Sequence, residues 1–570
     1  MKNLEIVRIL NNIADILELK NVEFKPMAYR KAAQGVEFLS EDIEEVYKRG
    51  ELQEIPGVGE HIAKKIEEII KTGKLKYYNK LKKEVKIDIE GLKSIPGLGP
   101  KKIIQLYKKL KIKNLKDLEK AIKKNKLQTI SGFGKETEKL LLKGIIFIKS
   151  QPKRLLYSHA IPIVKEIKET FQKFNFVKRI EVAGSFRRGK ETVGDLDFLI
   201  LSNQPEKVMK LFTSLPDIKQ ILAKGTTRGS IRLNNGLQID LRILKEKEFG
   251  SALLYFTGNK QHNIELRKIA LRKGYTLSEY GLFNLKTKKL IAGKTEEEIY
   301  KKLNLQYIPP ELRTNLGELQ AAQNNSLPKL VTEKDIKGIF HNHTNYSDGN
   351  YSILEMAQQA QKLGFKFISF NDHVGDIALA NPLDEKRLKK YLQDIEKTKK
   401  KLKITLLNGI EIDILKDGTL LLKPTLLKKL DVVIASTHMA LKMPQKKMTE
   451  RICHALENYP INILAHPTTR LINERPPINV NLEKVFQTAK KNNTFLEING
   501  SPKRRDLNST HIRMAKKIGC KFAISTDAHT LSHIKDDYNY ALLEARRGGL
   551  ETKDIINCWN LSKIKKELEK

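Results

Sequence analysis

The segment from His341 to Gly349 (HNHTNYSDG) begins a series of side chains of the types that bind metal ions in hydrolases. The chain has 12 histidines, and nine of them follow residue 340. His341 and His343 are two residues apart, and so are Asp527 and His529, which places each pair on one face of an extended strand. Mixed histidine and carboxylate ligands suit Zn²⁺, Mn²⁺ or Fe²⁺. The pattern therefore indicates a metal-hydrolase site.

A second acidic group lies upstream, in the string GSFRRGKETVGDLD that ends at Asp197. Asp195 and Asp197 are two apart on a predicted strand and face the same side, and Asp240 on another predicted strand can complete the cluster. Three carboxylates can hold two Mg²⁺ ions, one activating an attacking hydroxyl and the other steadying triphosphate oxygens. Ser185 and Arg188 on the preceding turn offer a hydroxyl and a guanidinium to phosphate oxygens.

Three glycine turns recur in the first 150 residues: IPGVG at 55–59, IPGLG at 95–99 and ISGFG at 130–134. Each precedes a basic amphipathic segment. A Gly-x-Gly turn that enters a helix exposes backbone N–H groups at the positive end of the helix dipole, where a phosphate can bind. A tight turn between packed helices explains a single copy equally well, but the repetition resembles helix–hairpin–helix motifs that hold DNA backbones. The candidate DNA contacts are Gly57, Gly59, Gly97, Gly99, Gly132 and Gly134.

Three different patterns surround these groups of residues. Residues 1–150 have apolar side chains at helical spacing, which predicts a series of helices. From about 155 to 310 short apolar strands alternate with helices, which predicts a mixed α/β fold. After residue 333 about seven short apolar runs alternate with helices and suggest a parallel (β/α) barrel. Because the candidate ligands follow these runs, we expect them to converge at the barrel mouth.

The composition indicates a soluble protein with a polyanionic partner. Lys and Arg number 106 against 67 Asp and Glu, a net charge of +39. A solvated lysine-rich surface is the alternative explanation. The three scattered cysteines form no ligand spacing and fit reduced thiols. With no apolar signal segment and no run of about 18 apolar residues, we expect a cytoplasmic chain that contacts no membrane.

Residues 1–315 resemble a family X DNA polymerase of the polymerase beta type. The resemblance depends on the Gly-Ser turn at 184–185, the Gly-Asp-x-Asp string at 194–197, the third aspartate at Asp240 and the YFTG string at 255–258. It implies a nucleotidyltransferase palm in which the three aspartates described above are the catalytic ligands of Mg²⁺. Gapped or primer–template DNA and dNTPs are the partners that it implies.

The same resemblance implies a set of residues at the incoming nucleotide. The YFTG turn is expected to pack on its sugar, and Asn263 and Arg267 match family residues that contact the nucleotide and the template minor groove. Asn259 stands where serine is commoner in the family. The implied nucleotide-binding residues are Ser185, Arg188, Gly194, Tyr255, Phe256, Gly258, Asn263 and Arg267.

In polymerases of the beta type, a lysine after the first hairpin forms a Schiff base with an abasic sugar. The matching residue is Lys65, whereas His61 replaces a neighbouring phosphate-binding lysine. Such a lysine needs a depressed pKa, and the adjacent Lys64 supplies positive charge that favours one. A plain phosphate contact and a solvated side chain are the alternatives to lyase catalysis.

Residues 333–570 resemble a PHP domain, which implies a distorted seven-stranded barrel with up to three metal ions, here Mn²⁺ or Zn²⁺. Asn371 stands before Asp372 where threonine is commoner, but neither is an implied ligand. An intact cluster that only stabilises the fold is the alternative to a catalytic one. The nine implied metal ligands are His341, His343, Asp348, His373, Glu411, His438, His466, Asp527 and His529.

The sequence thus predicts a multidomain α and α/β protein. The expected parts are a helical DNA-binding and lyase-like domain at 1–85, a fingers-like helix–hairpin–helix domain at 86–152, a nucleotidyltransferase palm at 153–246, a nucleotide-selecting thumb-like domain at 247–315, a linker at 316–332 and the PHP domain at 333–570.

We expect a monomeric DNA-directed DNA polymerase that fills short gaps in DNA repair. The PHP domain is expected to add a metal-dependent 3′-5′ exonuclease and an AP endonuclease. Two alternatives belong to other classes. One is a polymerase whose barrel is a non-catalytic, metal-stabilised scaffold, and the other is a small-ester phosphatase with a DNA-binding arm.

Overall fold

The computed structural model divides into two compact units, Met1–Gln151 and Pro152–Lys570. The structure describes residues 2–569 except 21, 38–42, 74, 85–86, 89–91, 93–97, 99, 125, 131, 135–136, 139–140, 143–144, 146–153 and 376–380. In that part of the chain, no helix has both the length and the hydropathy of a membrane span.

The first unit is helical, as its apolar spacing predicts. Side chains at that spacing, including Leu10, Ile13 and Leu17, are buried in one hydrophobic cluster, and a second cluster forms around Leu106 and Phe133. The helices are α1 (Lys2–Leu19), α2 (Lys25–Glu37), α3 (Ile43–Lys48), α4 (Glu60–Thr72), α5 (Lys76–Glu84), α6 (Pro100–Leu110) and α7 (Leu115–Lys123).

Two of the three glycine turns lie among the described residues, and each follows a short 3₁₀ helix, Leu52–Glu54 or Leu127–Thr129. Gly57 has a φ of +83°, and a Cβ there would lie 2.8 Å from the backbone of Lys31. Only glycine fits such a position without strain. Gly59 caps the N-terminus of α4, and Gly132 repeats the positive φ at +86°. Gly97 and Gly99 of the second turn lie outside the described residues.

A five-stranded sheet forms the core of the predicted palm. Its strands are β2 (Arg179–Val182), β4 (Asp195–Leu201), β5 (Ile218–Lys224), β6 (Arg228–Leu233) and β7 (Gln238–Leu244), and a separate pair is β1 (Leu155–Leu156) with β3 (Thr192–Val193). The order is β2-β4-β7-β6-β5, and only β4 and β7 run parallel. Phe198 and Ile239 pack beneath the helices. These helices are α8 (Tyr157–Gln172), α9 (Gly184–Arg187) and α10 (Pro205–Phe212).

The predicted thumb combines a three-stranded antiparallel sheet with helices. Leu266, Ile299 and Tyr300 are buried in its core. Leu319 of the segment 316–332 joins the same core, so this expected linker also contributes to the thumb. The elements are α11 (Phe249–Thr257), α12 (Lys260–Arg272), β8 (Tyr275–Ser278), β9 (Gly281–Asn284), β10 (Leu290–Ala292), α13 (Glu296–Lys302) and α14 (Glu318–Gln323).

A buried ionic network joins the palm to the thumb. The Glu296 carboxylate accepts from Arg187 at 2.7 Å and from Arg313 at 2.6 Å. Burial opposes ionisation, but the two guanidinium groups lower the pKa of Glu296 to about 2. A buried carboxylate paired on both oxygens holds the two elements in one arrangement.

The C-terminal half is a closed barrel of seven parallel strands, which confirms the predicted fold class. The strands are β11 (Gly338–Asn342), β12 (Phe367–Val374), β13 (Thr405–Asp413), β14 (Val432–Ser436), β15 (Ile463–Leu464), β16 (Phe495–Asn499) and β17 (Phe522–Ala528). All seven predicted apolar runs overlap a strand. Where β11 pairs with its two neighbours the register shifts before Asn342, next to the first pair of histidines.

Helices surround this barrel and bury the outward apolar faces of its strands. They are α15 (Ile353–Lys362), α16 (Glu385–Lys399), α17 (Pro424–Leu427), α18 (Gln445–Asn458), α19 (Leu482–Lys491), α20 (Ser509–Ile518), α21 (Leu531–Arg547) and α22 (Leu561–Leu568). Further 3₁₀ helices are Glu246–Glu248, Pro310–Leu312, Glu333–Asp335, Thr552–Asp554 and Ile556–Cys558.

Candidate active sites

The palm carboxylates lie on the two parallel strands of the sheet. Asp197 of β4 is directly opposite Asp240 of β7, and Asp195 shares the face of Asp197. Burial raises the pKa of Asp197 to about 7, and the charges of Asp195 and Asp240 add to the effect. Repulsion of this kind is relieved when a cation binds between carboxylates, so the donor set fits divalent metal ions.

The turn before these strands carries a hydroxyl and a guanidinium that line the same cavity as Asp195 and Asp197. Gly184 has a φ of +63°, and a Cβ there would lie 2.6 Å from Oδ2 of Asp197, so the glycine lets the turn approach the carboxylate. The Ser185 hydroxyl oxygen is buried and has no hydrogen-bond partner among the described residues. Arg188 donates to the carbonyl of Thr257, and burial lowers its pKa to about 10. Unpaired hydrogen-bonding capacity in a cleft is available to a ligand.

A cavity of about 530 Å³ joins the palm turn to the thumb. Nine predicted site residues line it: Ser185, Arg188, Asp195, Asp197, Tyr255, Phe256, Gly258, Asn263 and Arg267. Asp240 and Gly194 are not in the lining, although Asp240 faces Asp197 across the strand pair. A Cβ on Gly194 would lie 2.9 Å from the guanidinium of Arg154, and Arg154 and Lys260 also line the cavity. Neither of these two cations belongs to the site residues that the sequence predicts.

On the thumb side, a short chain of hydrogen bonds fixes the side chains of the YFTG turn and α12. Asn263 donates from Nδ2 to the carbonyl of Tyr255 at 2.6 Å, while its Oδ1 is buried without a partner in the described structure. Arg267 donates to the carbonyl of Asn263 at 3.3 Å. Tyr255 is 37% exposed and contacts Phe256 edge-on. The arrangement offers a flat aromatic surface and an amide oxygen to a nucleotide.

All nine predicted barrel ligands converge at one mouth. The buried carboxylate of Glu411 lies at their centre. Oε2 of Glu411 is 3.1 Å from His341, 3.7 Å from His343 and 3.1 Å from His373. Oε1 is 3.5 Å from His438 and 3.2 Å from His466. One carboxylate thus faces five imidazoles, the arrangement expected of a ligand that bridges metal ions.

The ligand atoms form three groups that are each compact enough for one ion. The groups are His343, Asp348, His373 and His529; His341, His343 and Asp527; and His373, Glu411 and His438, with the atoms of each group within 4.8 Å of one another. His343 and His373 each belong to two of these groups, and His466 belongs to none of them.

The chemistry of the donors fits metal binding. Among the described residues, buried ring nitrogens of His341, His343, His373 and His466 have no hydrogen-bond partner. Burial and the neighbouring histidines lower the pKa of His343 to about 3, so its ring is a neutral ligand. Burial opposes protonation of His529, but the hydrogen bond that its ring donates to Asp348 raises its pKa to about 9, so a bound cation would displace that proton. Neutral imidazole is the form that binds metals.

A second layer of carboxylates orients these ligands, and the sequence analysis did not predict it. Glu497, in the middle of β16, lies 2.5 Å from Nδ1 of His341 and accepts from the backbone N–H of His466 at 2.6 Å. Asp413 lies 2.9 Å from Nδ1 of His438. Such partners fix the tautomer and increase the basicity of a metal-binding imidazole. Asp413 follows Glu411 by two residues on β13. This spacing is the sequence signal from which the role of Asp413 could have been predicted.

Arg504 supplies a positive charge beside the same mouth. Its Nε lies 3.4 Å from Oδ2 of Asp527, and its Nη1 is buried without a hydrogen-bond partner among the described residues. A guanidinium with a free donor next to a metal site can bind a phosphate oxygen. The sequence analysis missed this residue because it lies outside the paired ligand spacing.

Lys65 is partly buried on α4. Its Nζ donates to the carbonyl of His61 at 3.0 Å and lies 5.3 Å from the centre of the Tyr77 ring. Burial and the charge of Lys25 lower its pKa, which increases the fraction of nucleophilic amine. Lys64 instead forms an exposed ion pair with Glu60 at 2.6 Å.

Models of known families match five segments of the chain. They are a Helix-hairpin-helix domain at residues 1–75, a SAM-like Helix-hairpin-helix tandem at 89–145, a DNA polymerase beta palm at 158–249, a DNA polymerase beta thumb at 252–314 and a PHP domain at 340–501.

One relative matches from end to end. Over 574 residues the chain is 35% identical to the DNA polymerase/3′-5′ exonuclease PolX of Bacillus subtilis (strain 168), and the match covers 100% of both proteins. The chain belongs to the PolX family. The expected combination of polymerase beta-like and PHP domains is thereby confirmed.

Two other relatives each match part of this PolX family member. DNA polymerase lambda of Rattus norvegicus is 26% identical over 339 residues, which cover 55% of this chain and 56% of that protein. A probable phosphatase of Thermoanaerobacter sp. (strain X514) is 32% identical over 241 residues, which cover 40% of this chain and 93% of that protein.

Replacing Glu497 with Gln should weaken metal binding in the barrel by about 10–100-fold, because His341 loses its carboxylate partner. Titration calorimetry of the metal-free protein with Mn²⁺ measures this change. Glu474→Gln is the control, since Glu474 forms a half-exposed ion pair with Lys503 at 3.0 Å. Equal Mn²⁺ affinity in the two variants would contradict the orienting role of Glu497.

Proposed function

We propose that this chain fills short DNA gaps with the palm and removes 3′ nucleotides with the barrel. The observation that carries the polymerase assignment is the palm cluster, in which Asp195, Asp197 and Asp240 meet beside the cavity that Ser185 and Arg188 line. The name of the full-length Bacillus relative supports both activities. Gapped or primer–template DNA and dNTPs are the proposed substrates, and the proposed setting is a monomer in the cytoplasm.

In the proposed polymerase reaction, the primer 3′ hydroxyl attacks the α-phosphorus of a dNTP and pyrophosphate leaves. Ser185 and Arg188 bind the triphosphate oxygens, and Tyr255 and Phe256 pack on the sugar. Asn263 and Arg267 contact the nucleotide and the template groove. Mg²⁺ held by the three aspartates would lower the pKa of the hydroxyl and neutralise charge on the leaving group. Gly194 keeps the backbone clear of Arg154 beside the site.

The glycine turns are proposed to hold the DNA on either side of the gap. Gly57 and Gly59 place backbone N–H groups at the start of α4, and Gly97, Gly99, Gly132 and Gly134 have the same sequence context. These contacts are independent of base sequence, as a repair enzyme requires.

The barrel is proposed to hydrolyse phosphodiesters with the nine convergent ligands. Mn²⁺ or Zn²⁺, bound at up to three positions, would activate a water molecule and polarise the scissile phosphate. In this proposal Arg504 binds a nonbridging phosphate oxygen, since its Nε lies beside Asp527 and its Nη1 has no hydrogen-bond partner among the described residues. The proposed activities are 3′-5′ exonuclease and cleavage at abasic sites.

The similarity of the barrel to a probable phosphatase favours a second candidate for this domain, the hydrolysis of small phosphate esters. That relative matches 40% of the chain, whereas the PolX relative matches all of it, so we place DNA first. Release of inorganic phosphate from a small ester at a rate above that of exonuclease would reverse this order.

Single substitutions should separate the two proposed activities. Asp195→Ala should abolish primer extension and keep primer shortening, because it removes a carboxylate from the palm alone. His343→Ala should have the opposite effect, since His343 belongs to two of the three barrel groups. Gel analysis of an end-labelled primer with Mn²⁺, with and without dNTPs, measures both activities.

The exposed residues Glu206 and His454 provide matched controls for these substitutions. Glu206→Ala and His454→Ala should each retain extension and shortening. Loss of both activities in either Asp195→Ala or His343→Ala would contradict two separate centres, provided that the variant unfolds at the temperature of the wild type.

The depressed pKa of Lys65 favours a further proposal, an abasic-sugar lyase in the first helical unit. The Lys65 amine would condense with the C1′ aldehyde and release water. Loss of a C2′ proton would then expel the 3′ phosphate oxygen, and hydrolysis would free the lysine.

Borohydride reduction should trap the Schiff base as a covalent protein–DNA product when the DNA carries a 5′ abasic sugar phosphate. Lys65→Ala should reduce trapping by about tenfold or more, because the nucleophile is lost. Lys64→Ala is the matched control and should trap like the wild type. Equal trapping by Lys65→Ala would assign the crosslink to another amine and overturn the proposal.

A further inference from the structure

The barrel domain holds the palm segment that carries Ser185 and Arg188. We name residues 184–191 the phosphate-binding turn. We propose that Arg470 and Arg505 of the barrel are positioning residues for nucleotide addition, because they fix the C-terminal end of this turn. The inference rests on the proposed polymerase function and gives the barrel a second role that is separate from its hydrolytic chemistry.

Arg505 reaches from the barrel into the palm backbone. Its side chain is 1% exposed, Nη2 donates to the carbonyl of Gly189 at 2.8 Å, and Nη1 donates to the carbonyl of Lys190 at 3.3 Å. Nη2 also lies 2.5 Å from Oε1 of the buried Glu544. Because Glu544 compensates the charge within the barrel domain, the remaining donors of Arg505 are available to the turn.

Arg470 forms a bidentate ion pair with Glu191, the last residue of the phosphate-binding turn. We call this pair the clamp. Its Nη1 and Nη2 donate to the two carboxylate oxygens of Glu191 at 3.0 and 2.9 Å. Its Nε donates to the carbonyl of Arg504 at 2.8 Å, and Nη2 also donates to the carbonyl of Arg505. The barrel backbone therefore fixes the plane of the Arg470 guanidinium independently of its contact with Glu191. Bidentate pairs of this kind define orientation as well as distance.

Apolar side chains also join the phosphate-binding turn to the barrel. A Cβ on Gly189 would lie 2.5 Å from the side chain of Leu543, so the turn packs directly on α21 of the barrel. Tyr157 stacks on Phe186 of the turn at 4.7 Å and meets Tyr540 of the barrel edge-on at 6.2 Å. The turn is thus enclosed between palm and barrel side chains, and its backbone has little freedom to shift.

The restrained residues lie between the groups that perform the proposed chemistry. Gly189 follows Arg188, and the Lys190 N–H donates to the carbonyl of Ser185 at 3.0 Å. Glu191 precedes Asp195 of the metal cluster by four residues. Movement at Gly189 or Glu191 would therefore displace both the triphosphate contacts and the start of β4. Contacts that order such groups before the substrate arrives reduce the entropy cost of binding it.

The proposal is tested with the full chain and four single variants. Glu191→Ala and Arg470→Ala remove the clamp. Glu311→Ala and Arg546→Ala are the matched controls, because they remove the 2.8 Å ion pair that joins thumb and barrel away from the turn. Steady-state extension of a gapped primer with varied dTTP gives KM and kcat. Exonuclease activity with Mn²⁺ and no dNTP is measured on the same preparations.

We expect Glu191→Ala and Arg470→Ala to raise KM for dTTP by about fivefold or more, because a looser turn must be ordered by the nucleotide. A Glu191→Ala/Arg470→Ala double variant, measured beside the four single variants, should be no worse than the more affected of Glu191→Ala and Arg470→Ala, since both residues act through one contact. The exonuclease rate of Glu191→Ala should remain within about twofold of the wild type. Glu311→Ala and Arg546→Ala should leave KM unchanged.

Unchanged KM in the two clamp variants would overturn the proposal, and so would an equal increase in the control variants, which would indicate a general effect of the interface. If Arg470→Ala fails to fold, Glu191→Ala decides alone, since Glu191 is 25% exposed and its loss leaves the barrel intact. Absence of extension by the wild type would instead contradict the proposed polymerase function itself.

Discussion

A single buried carboxylate facing five imidazoles is the constraint on which the barrel depends. Glu411 lies on the third barrel strand, and its two oxygens meet histidines that come from five other positions of the barrel mouth. Burying so many polar groups is unfavourable unless cations or hydrogen bonds satisfy them. Glu497 pairs with one ring nitrogen of His341, and Asp413 pairs with one ring nitrogen of His438. The other ring nitrogen of each histidine remains available to a metal ion.

The palm follows the same physical rule with a different donor set. Three carboxylates on adjacent parallel strands repel one another, and the raised pKa of Asp197 reflects that repulsion together with burial. Oxygen ligands alone favour Mg²⁺, whereas the histidines of the barrel favour softer ions. The two centres therefore differ in the ligands that they offer to metal ions. Adjacent residues of one barrel loop nevertheless contact both centres. Arg504 lies at the barrel metal cluster, and Arg505 contacts the turn of the palm.

Periodicity and spacing predicted most of the fold, and the family resemblance implied the nine side chains that converge at the barrel mouth. The pairs His341 with His343 and Asp195 with Asp197 are visible because a strand places alternate residues on one face. The supporting contacts could not be predicted in this way. Glu497 is 156 residues from His341, and Arg470 is 279 residues from Glu191. No local pattern encodes such pairs, because they arise only when the barrel closes and packs against the palm.

The central claim is that one chain carries two opposed activities on a DNA 3′ end. The most direct measurement incubates the protein with an end-labelled primer in a short DNA gap, all four dNTPs and Mn²⁺, and resolves the products by length. The account predicts products both longer and shorter than the primer. Longer products alone in the presence of dNTPs, together with a primer of unchanged length in their absence, would contradict a nuclease centre in the barrel and leave it a metal-stabilised scaffold.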